Sequence, residues 1–171
     1  IVSPDGQRTM STFLGASALL GPDDISEADI SGAAITYLEG YLWDRPDAKD
    51  AFRKAAQLAT KNQAQVALTL SDSFCVDRHR DSFLALIRDG VDVLFANEAE
   101  LLSLYETTSF ADAMAAVAKD CTLAAVTRSE KGSAIVADGT VTEVPAQAVA
   151  EVVDTTGAGD LYAAGFLFGL A

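Results

Sequence analysis

Basic side chains are scarce in this 171-residue chain, where 12 Lys and Arg stand against 25 Asp and Glu for a net charge of −13. So acidic a chain lacks the cationic face that nonspecific binding to nucleic acid or an anionic membrane requires. A small molecule is the expected partner. Cys75 and Cys121 lie far apart in a chain with no secretory signal, so a reduced, cytoplasmic setting is expected. No apolar run reaches the roughly 18 residues of a membrane span. The single histidine, His79, has no second ligating residue beside it, and reads as a hydrogen-bonded packing residue rather than a metal ligand or an acid–base group. Two nucleotide signatures are missing as well. There is no P-loop pattern, and Gly157-Ala158-Gly159 is followed by Asp160, Leu161 and Tyr162 without the third glycine of GxGxxG. Internal repeats and low-complexity segments are absent too, and half of the residues are hydrophobic, enough for one core and a single domain.

What the chain does have is Asp154-Thr155-Thr156-Gly157-Ala158-Gly159-Asp160. Residues 148–153 (AVAEVV) read as a strand entering this turn, and residues 161–171 (LYAAGFLFGLA), without a single charge, as a buried helix leaving it. The glycines leave the backbone free to turn and to approach a ligand, while the helix start directs unpaired N–H groups and a positive dipole end at the turn. Such a turn binds anions. A carboxylate there repels an anion unless it has a task. Accepting the proton of an attacking hydroxyl is one, with the amides of Gly157, Ala158 and Gly159 holding the charge that develops on a transferred phosphoryl group. An isolated acid at this position would read instead as a first-turn residue favoured by the dipole.

The rest of the chain alternates between the two periodicities. Residues 1–3 and 8–14 flank the turn signal Pro4-Asp5-Gly6 and predict a hairpin. Residues 15–20 read as strand end or short helix, and residues 21–31 as an acidic loop with a helical turn. A buried strand is predicted at 33–38, leading to Glu39, Tyr41 and Trp43 at its C-terminal end, where open α/β sheets gather ligands; aromatic packing is the favoured reading of Tyr41 and Trp43. Apolar residues at spacings of three and four predict helices at 46–61, 74–88 and 109–119, with Pro46 opening the first. Further strands are predicted at 65–70, 91–96 and 122–127, and a hairpin at 133–137 and 140–145 around Asp138-Gly139. Asn97 and Glu100 have the spacing of a capping box at the start of a short helix, 98–105. Strands alternating with helices make an α/β layered domain with a mainly parallel sheet flanked by helices.

The sequence DTTGAGD resembles the second signature of the PfkB, or ribokinase-like, carbohydrate kinase family, DTxGAGD, and matches it at every fixed position. The resemblance implies a ribokinase-like α/β kinase domain over 1–171, incomplete at both ends, with residues 1–15 as a remnant of a lid. It also implies Asp160 as catalytic base, and Gly157, Ala158 and Gly159 as the anion hole. Asn97 and Glu100 match the family's NxxE motif, which organises Mg²⁺ and phosphate through water; a capping box and this role are compatible. Thr127 and Gly132 match a nucleotide-contacting Thr-x-Gly-x-x-Gly segment, in which Ser129 stands where glycine is usual. Asp154 and Thr156 align with residues that in some members hold a monovalent cation, K⁺. On its own Arg8 reads first as a solvated hairpin arginine, but the stretch PDGQRTM...LGA resembles one near the sugar-binding lid, which raises Arg8 and Gly15 as substrate contacts.

Read together, these features predict an ATP- and Mg²⁺-dependent kinase acting on a primary hydroxyl of a sugar or nucleoside. The RTM...LGA and YLEGYLWD stretches look adenosine-kinase-like, which makes adenosine an expected acceptor. The alternative is an α/β module that binds a nucleotide or other anion without chemistry. A homodimer through the lid is the partner implied by the family. The chain starts at Ile1 without Met and stops on Gly169-Leu170-Ala171 with no polar cap, so it reads as part of a longer protein.

Overall fold

The computed structural model of the protein describes residues 1–171. Six strands, β1 (Ile35–Glu39), β2 (Gln65–Thr69), β3 (Val93–Asn97), β4 (Leu123–Thr127), β5 (Ser133–Ala137) and β6 (Thr140–Val144), form one sheet in sequential order. The first four are parallel, and β5 and β6 return antiparallel through the predicted hairpin. Each parallel step is made by a helical crossover, as parallel pairing requires. The helices are α1 (Glu27–Ser31), α2 (Pro46–Lys61), α3 (Ser73–Gly90), α4 (Glu98–Leu104), α5 (Phe110–Asp120) and α6 (Ala158–Leu170).

Strand alternation sorts the side chains between two faces. Val66, Leu68, Leu94, Ala96, Ala124 and Val126 point to a main core of 28 buried residues covered by α2 to α5. Ala67, Val93, Phe95 and Ala125 point the other way, where they meet Ala163 of α6. Trp43 anchors the main core: it is fully buried, packs on Phe52 and Phe83 with ring centroids 5.5 and 5.2 Å away, and donates its indole N–H to Ser82 Oγ at 2.7 Å. Packing therefore accounts for Trp43. His79 sits at a kink in α3, between Asp44 Oδ1 at 2.8 Å and Lys49 Nζ at 3.1 Å. It is the hydrogen-bonded packing residue expected.

Three expectations are corrected. Residues 148–153 are not a strand: after Pro145 the chain leaves the sheet, no neighbouring strand offers hydrogen bonds, and Val149, Val152 and Val153 are exposed. Helix α6 is not buried, because it alone covers its face of the sheet. Only Ala163 is buried, with Tyr162, Phe166 and Leu167 packed beside it, while Leu161 and Phe168 are 75% and 89% exposed. Strand β1 lies at the sheet edge, so it is half-buried rather than buried. The N-terminal hairpin is present as a tight turn bridged at Val2 and Arg8, and residues Gly15–Leu19 form a 3₁₀ helix. No helix is long and apolar enough to cross a membrane.

Candidate active site

The last residues of the four parallel strands, Glu39, Thr69, Asn97 and Thr127, stand side by side along one edge of the sheet. They come as two pairs, Glu39 with Thr69 and Asn97 with Thr127, and because Thr69 pairs with Phe95 the second pair stands two residues further along the strand direction. All four line a cavity of about 280 Å³, which Gly157, Gly159, Asp160 and Tyr162 close from α6 and Arg8 from the N-terminal turn. Parallel sheets place ligands at this edge because every strand there hands over to a loop and a helix start.

The α6 turn is built as an anion site. Gly157 caps the helix in the left-handed region at φ +73°, and a Cβ placed on Gly159 would meet nothing within 4 Å, so its backbone is open to a ligand. Within the turn, the Ala158 N–H is already spent on the Thr155 carbonyl at 3.2 Å, and Ala158 does not line the cavity. The amides of Gly157, Gly159 and Asp160 have no backbone acceptor. Of the expected Gly157, Ala158 and Gly159, the two glycines keep free amides, and Asp160 stands in place of Ala158. Asp154 lies off the cavity, its Oδ1 accepting the Thr156 N–H at 2.8 Å. Thr156 is likewise off the cavity wall.

Across from this turn, Asn97 and Glu100 form the capping box of α4. The Asn97 side chain accepts the Glu100 N–H at 2.8 Å, while the Glu100 carboxylate accepts the Asn97 N–H at 2.9 Å and its Nδ2–H at 2.7 Å. Glu100 is 6% exposed yet lines the cavity. Burial pushes its carboxyl up to about 7, and the negative charges of Asp72 and Glu39 push the same way against the Asn97 hydrogen bond. With Glu39, Glu100 and Asp160 on the wall and Arg8 as the one base, the site has anion donors and Asp160 at the α6 turn and the separate carboxylates of Glu39 and Glu100 at the strand ends, with no group of three acids gathered closely enough to hold a metal alone. That division suits a polyanion accompanied by a divalent cation.

The other candidates distribute unevenly. Thr127 and Ser129 line the cavity. Ser129 sits at φ +51°, a left-handed position at which glycine is unstrained, which accounts for the glycine usual there in the family pattern. Gly132 does not line the cavity: at φ +91° its Cβ would lie 2.0 Å from the Val144 carbonyl oxygen, so a close approach of the β6 strand end explains it. Arg8 lines the cavity and Gly15 does not. Tyr41 lines it too and is 49% exposed, so the packing reading applies to Trp43 and not to Tyr41. Thr69 and Ser71 are wall residues that pattern reading passed over. For Thr69 a signal was available, since each parallel strand delivers its last residue to this edge; Ser71 lies beyond the strand end. Ser71 holds φ +65° and donates its hydroxyl to Glu39 Oε2 at 3.0 Å.

Comparison with known proteins agrees with this architecture. Over 174 residues the chain is 32% identical to the ATP-dependent ribose-1-phosphate kinase of Halopiger xanaduensis, covering 98% of this chain and 51% of that protein. It is 38% identical over 93 residues to the cytidine kinase of Thermococcus kodakarensis, covering 53% of this chain and 33% of that one. The crystal structure of adenosine kinase from Sinorhizobium meliloti superposes with a TM-score of 0.95 at 54% identity, over 99% of this chain and 52% of that chain. The chain thus spans about half the length of the first and third of these relatives, and a third of the second. The model of pfkB family carbohydrate kinases matches residues 1–171, and the chain belongs to that family.

Proposed function

We propose that the protein carrying this chain transfers the γ-phosphoryl group of ATP to a primary hydroxyl of a sugar or nucleoside, with Asp160 as general base. One observation carries the reading: Asp160 and the unpaired amides at the start of α6 face the same cavity as Asn97, Glu100 and Thr127. The acceptor's hydroxyl proton passes to the Asp160 carboxylate as its oxygen bonds to the γ-phosphorus. The bond from that phosphorus to the β–γ bridging oxygen breaks, and ADP leaves with the electron pair. The amides of Gly157, Gly159 and Asp160 hold the oxygens of the phosphoryl group in flight. Arg8, the only cation on the wall, adds positive charge where the protein otherwise has little. Asn97 and Glu100 would hold Mg²⁺ through water, since the negative charges of Asp72 and Glu39 already act on the buried Glu100 carboxyl and a cation there would offset them. When bound, the metal neutralises phosphate charge. Thr127 and Ser129 stand on the nucleotide side, and Asp154 and Thr156 are assigned to K⁺, a role tested by comparing turnover in K⁺ and in choline.

The likeness to an adenosine kinase supports adenosine as the first acceptor to test, with cytidine and ribose 1-phosphate next. The test is phosphorylation of these acceptors by the full-length enzyme alongside Asp160→Asn. Loss of the base is expected to lower kcat by roughly 10²–10⁴-fold with little change in ATP affinity. Near-normal turnover by the variant would remove Asp160 from the mechanism.

A further inference from the structure

The N-terminal turn is fastened to the anion turn across most of the chain. Gly6 is buried although every other residue among the first ten is exposed. Its carbonyl accepts two hydrogen bonds from Thr155, one from the N–H at 3.2 Å and one from Oγ1 at 3.0 Å. Gly6 has φ +77°, and a Cβ there would lie 2.9 Å from the Val152 carbonyl oxygen. The two backbones therefore touch at this point, and only glycine lets them. Two residues further on is Arg8, held in the same turn by the bridge to Val2 and by the Ser3 N–H on the Gln7 carbonyl at 2.8 Å. Its charge acts on both Asp154 and Tyr41. Thr155 itself does not line the cavity, whereas Arg8 does. The guanidinium itself donates to Met10 Sδ at 3.4 Å, so its place over α6 follows the backbone of this turn, which the Gly6 carbonyl ties to Thr155.

We infer that Thr155 is a positioning residue, which sets Arg8 over the anion turn through the Gly6 carbonyl. The inference rests on the phosphoryl-transfer reading above, because it gives Arg8 its task. The side chain at 155 can then be tested apart from the turn it belongs to. Thr155→Val removes the Oγ1–H and keeps the branched shape, Thr155→Ser keeps the hydroxyl, and Arg8→Ala removes the group being positioned. Each is made in the full-length enzyme and combined in a double-mutant cycle.

Thr155→Val is expected to lower kcat roughly 10-fold while the KM values for ATP and acceptor stay within about 2-fold, the pattern of a misplaced transition-state contact. Thr155→Ser restores turnover, and in the Arg8→Ala background Thr155→Val costs nothing more. Amide hydrogen exchange at residue 155, whose N–H is on the Gly6 carbonyl, becomes faster in Thr155→Val. Additive losses in the cycle, or a Ser variant as slow as the Val variant, would overturn the inference. A wild type without turnover on any acceptor refutes the phosphoryl-transfer reading instead. Exchange at residue 155 then decides the latch alone: acceleration in Thr155→Val supports it and unchanged exchange overturns it.

Discussion

Replacing Glu100 by glutamine is expected to make the protein more stable at pH 8 and to abolish most of the stability change between pH 5 and 8. The carboxyl rises from 4.5 to about 7 on folding because it is buried beside Asp72 and Glu39. At about 1.36 kcal/mol per pH unit, this costs the folded state about 3 kcal/mol once the group is ionised. The sign follows from proton counting. Between the unfolded and folded values the folded protein holds more protons than the unfolded chain, so stability falls as pH rises through that window and levels off above it. About 2.5 kcal/mol of that fall lies between pH 5 and 8. Carboxyls held low by their partners, such as Asp44 with Arg78 and Asp120 with Arg88, change protonation only below this range. Glutamine accepts one of the two Asn97 hydrogen bonds and loses the other, a loss of about 1 kcal/mol, which leaves a net gain of about 2 kcal/mol at pH 8. Urea unfolding of both proteins at pH 5, 6, 7 and 8, with chelator and without nucleotide, measures the difference. Wild type should lose stability with rising pH while Glu100→Gln stays level. Parallel loss in the two proteins would refute the reasoning. Turnover of the variant is expected to fall even as stability rises, since a buried charge kept for function is where the two requirements oppose each other.

Gly132→Ala should destabilise the protein by about 3 kcal/mol or more, because the new Cβ meets the Val144 oxygen at 2.0 Å and the residue sits at φ +91°; chemical denaturation checks it, and a change below 1 kcal/mol would show that the β5–β6 end is looser than described. Phe83→Ala removes a fully buried ring stacked on Trp43 at 5.2 Å, for a loss of about 3–5 kcal/mol by the same measurement.

The fold was legible because each element carried its own periodicity. The apolar spacing in α2 matches its observed limits, Pro46–Lys61, and Asp138-Gly139 marks the hairpin turn between β5 and β6. Where reading failed, the cause was a missing neighbour. Val149, Val152 and Val153 have strand-like side chains, yet a strand needs a partner, and nothing in a single stretch says whether one lies alongside. The apolar composition of α6 likewise reads as burial, while the extent of burial depends on what packs against Leu161 and Phe168. At the site, Asp160, Asn97 and Glu100 were legible because local spacing creates the turn and the capping box. Thr69 could have been found as a strand end, whereas Ser71 and the contact of Thr155 with Gly6 were not legible.

By itself the sequence determined the chemistry available at the α6 turn, because glycines at 157 and 159, an acid at 160 and a helix start are local properties that no distant residue can supply. It determined the mainly parallel direction of the strands too, through strand–helix alternation, while their order was settled in the folded sheet. Only the tertiary structure decided which residues share the cavity. Glu39, Thr69, Asn97 and Thr127 come from four separate strands and meet because all four strands run parallel and end on the same cavity, and Arg8 reaches Asp160's cavity because a glycine carbonyl 149 residues away from Thr155 takes its hydrogen bonds. The charge state of Glu100 was decided there as well, since burial and the fields of Asp72 and Glu39 depend on distances in space and not along the chain.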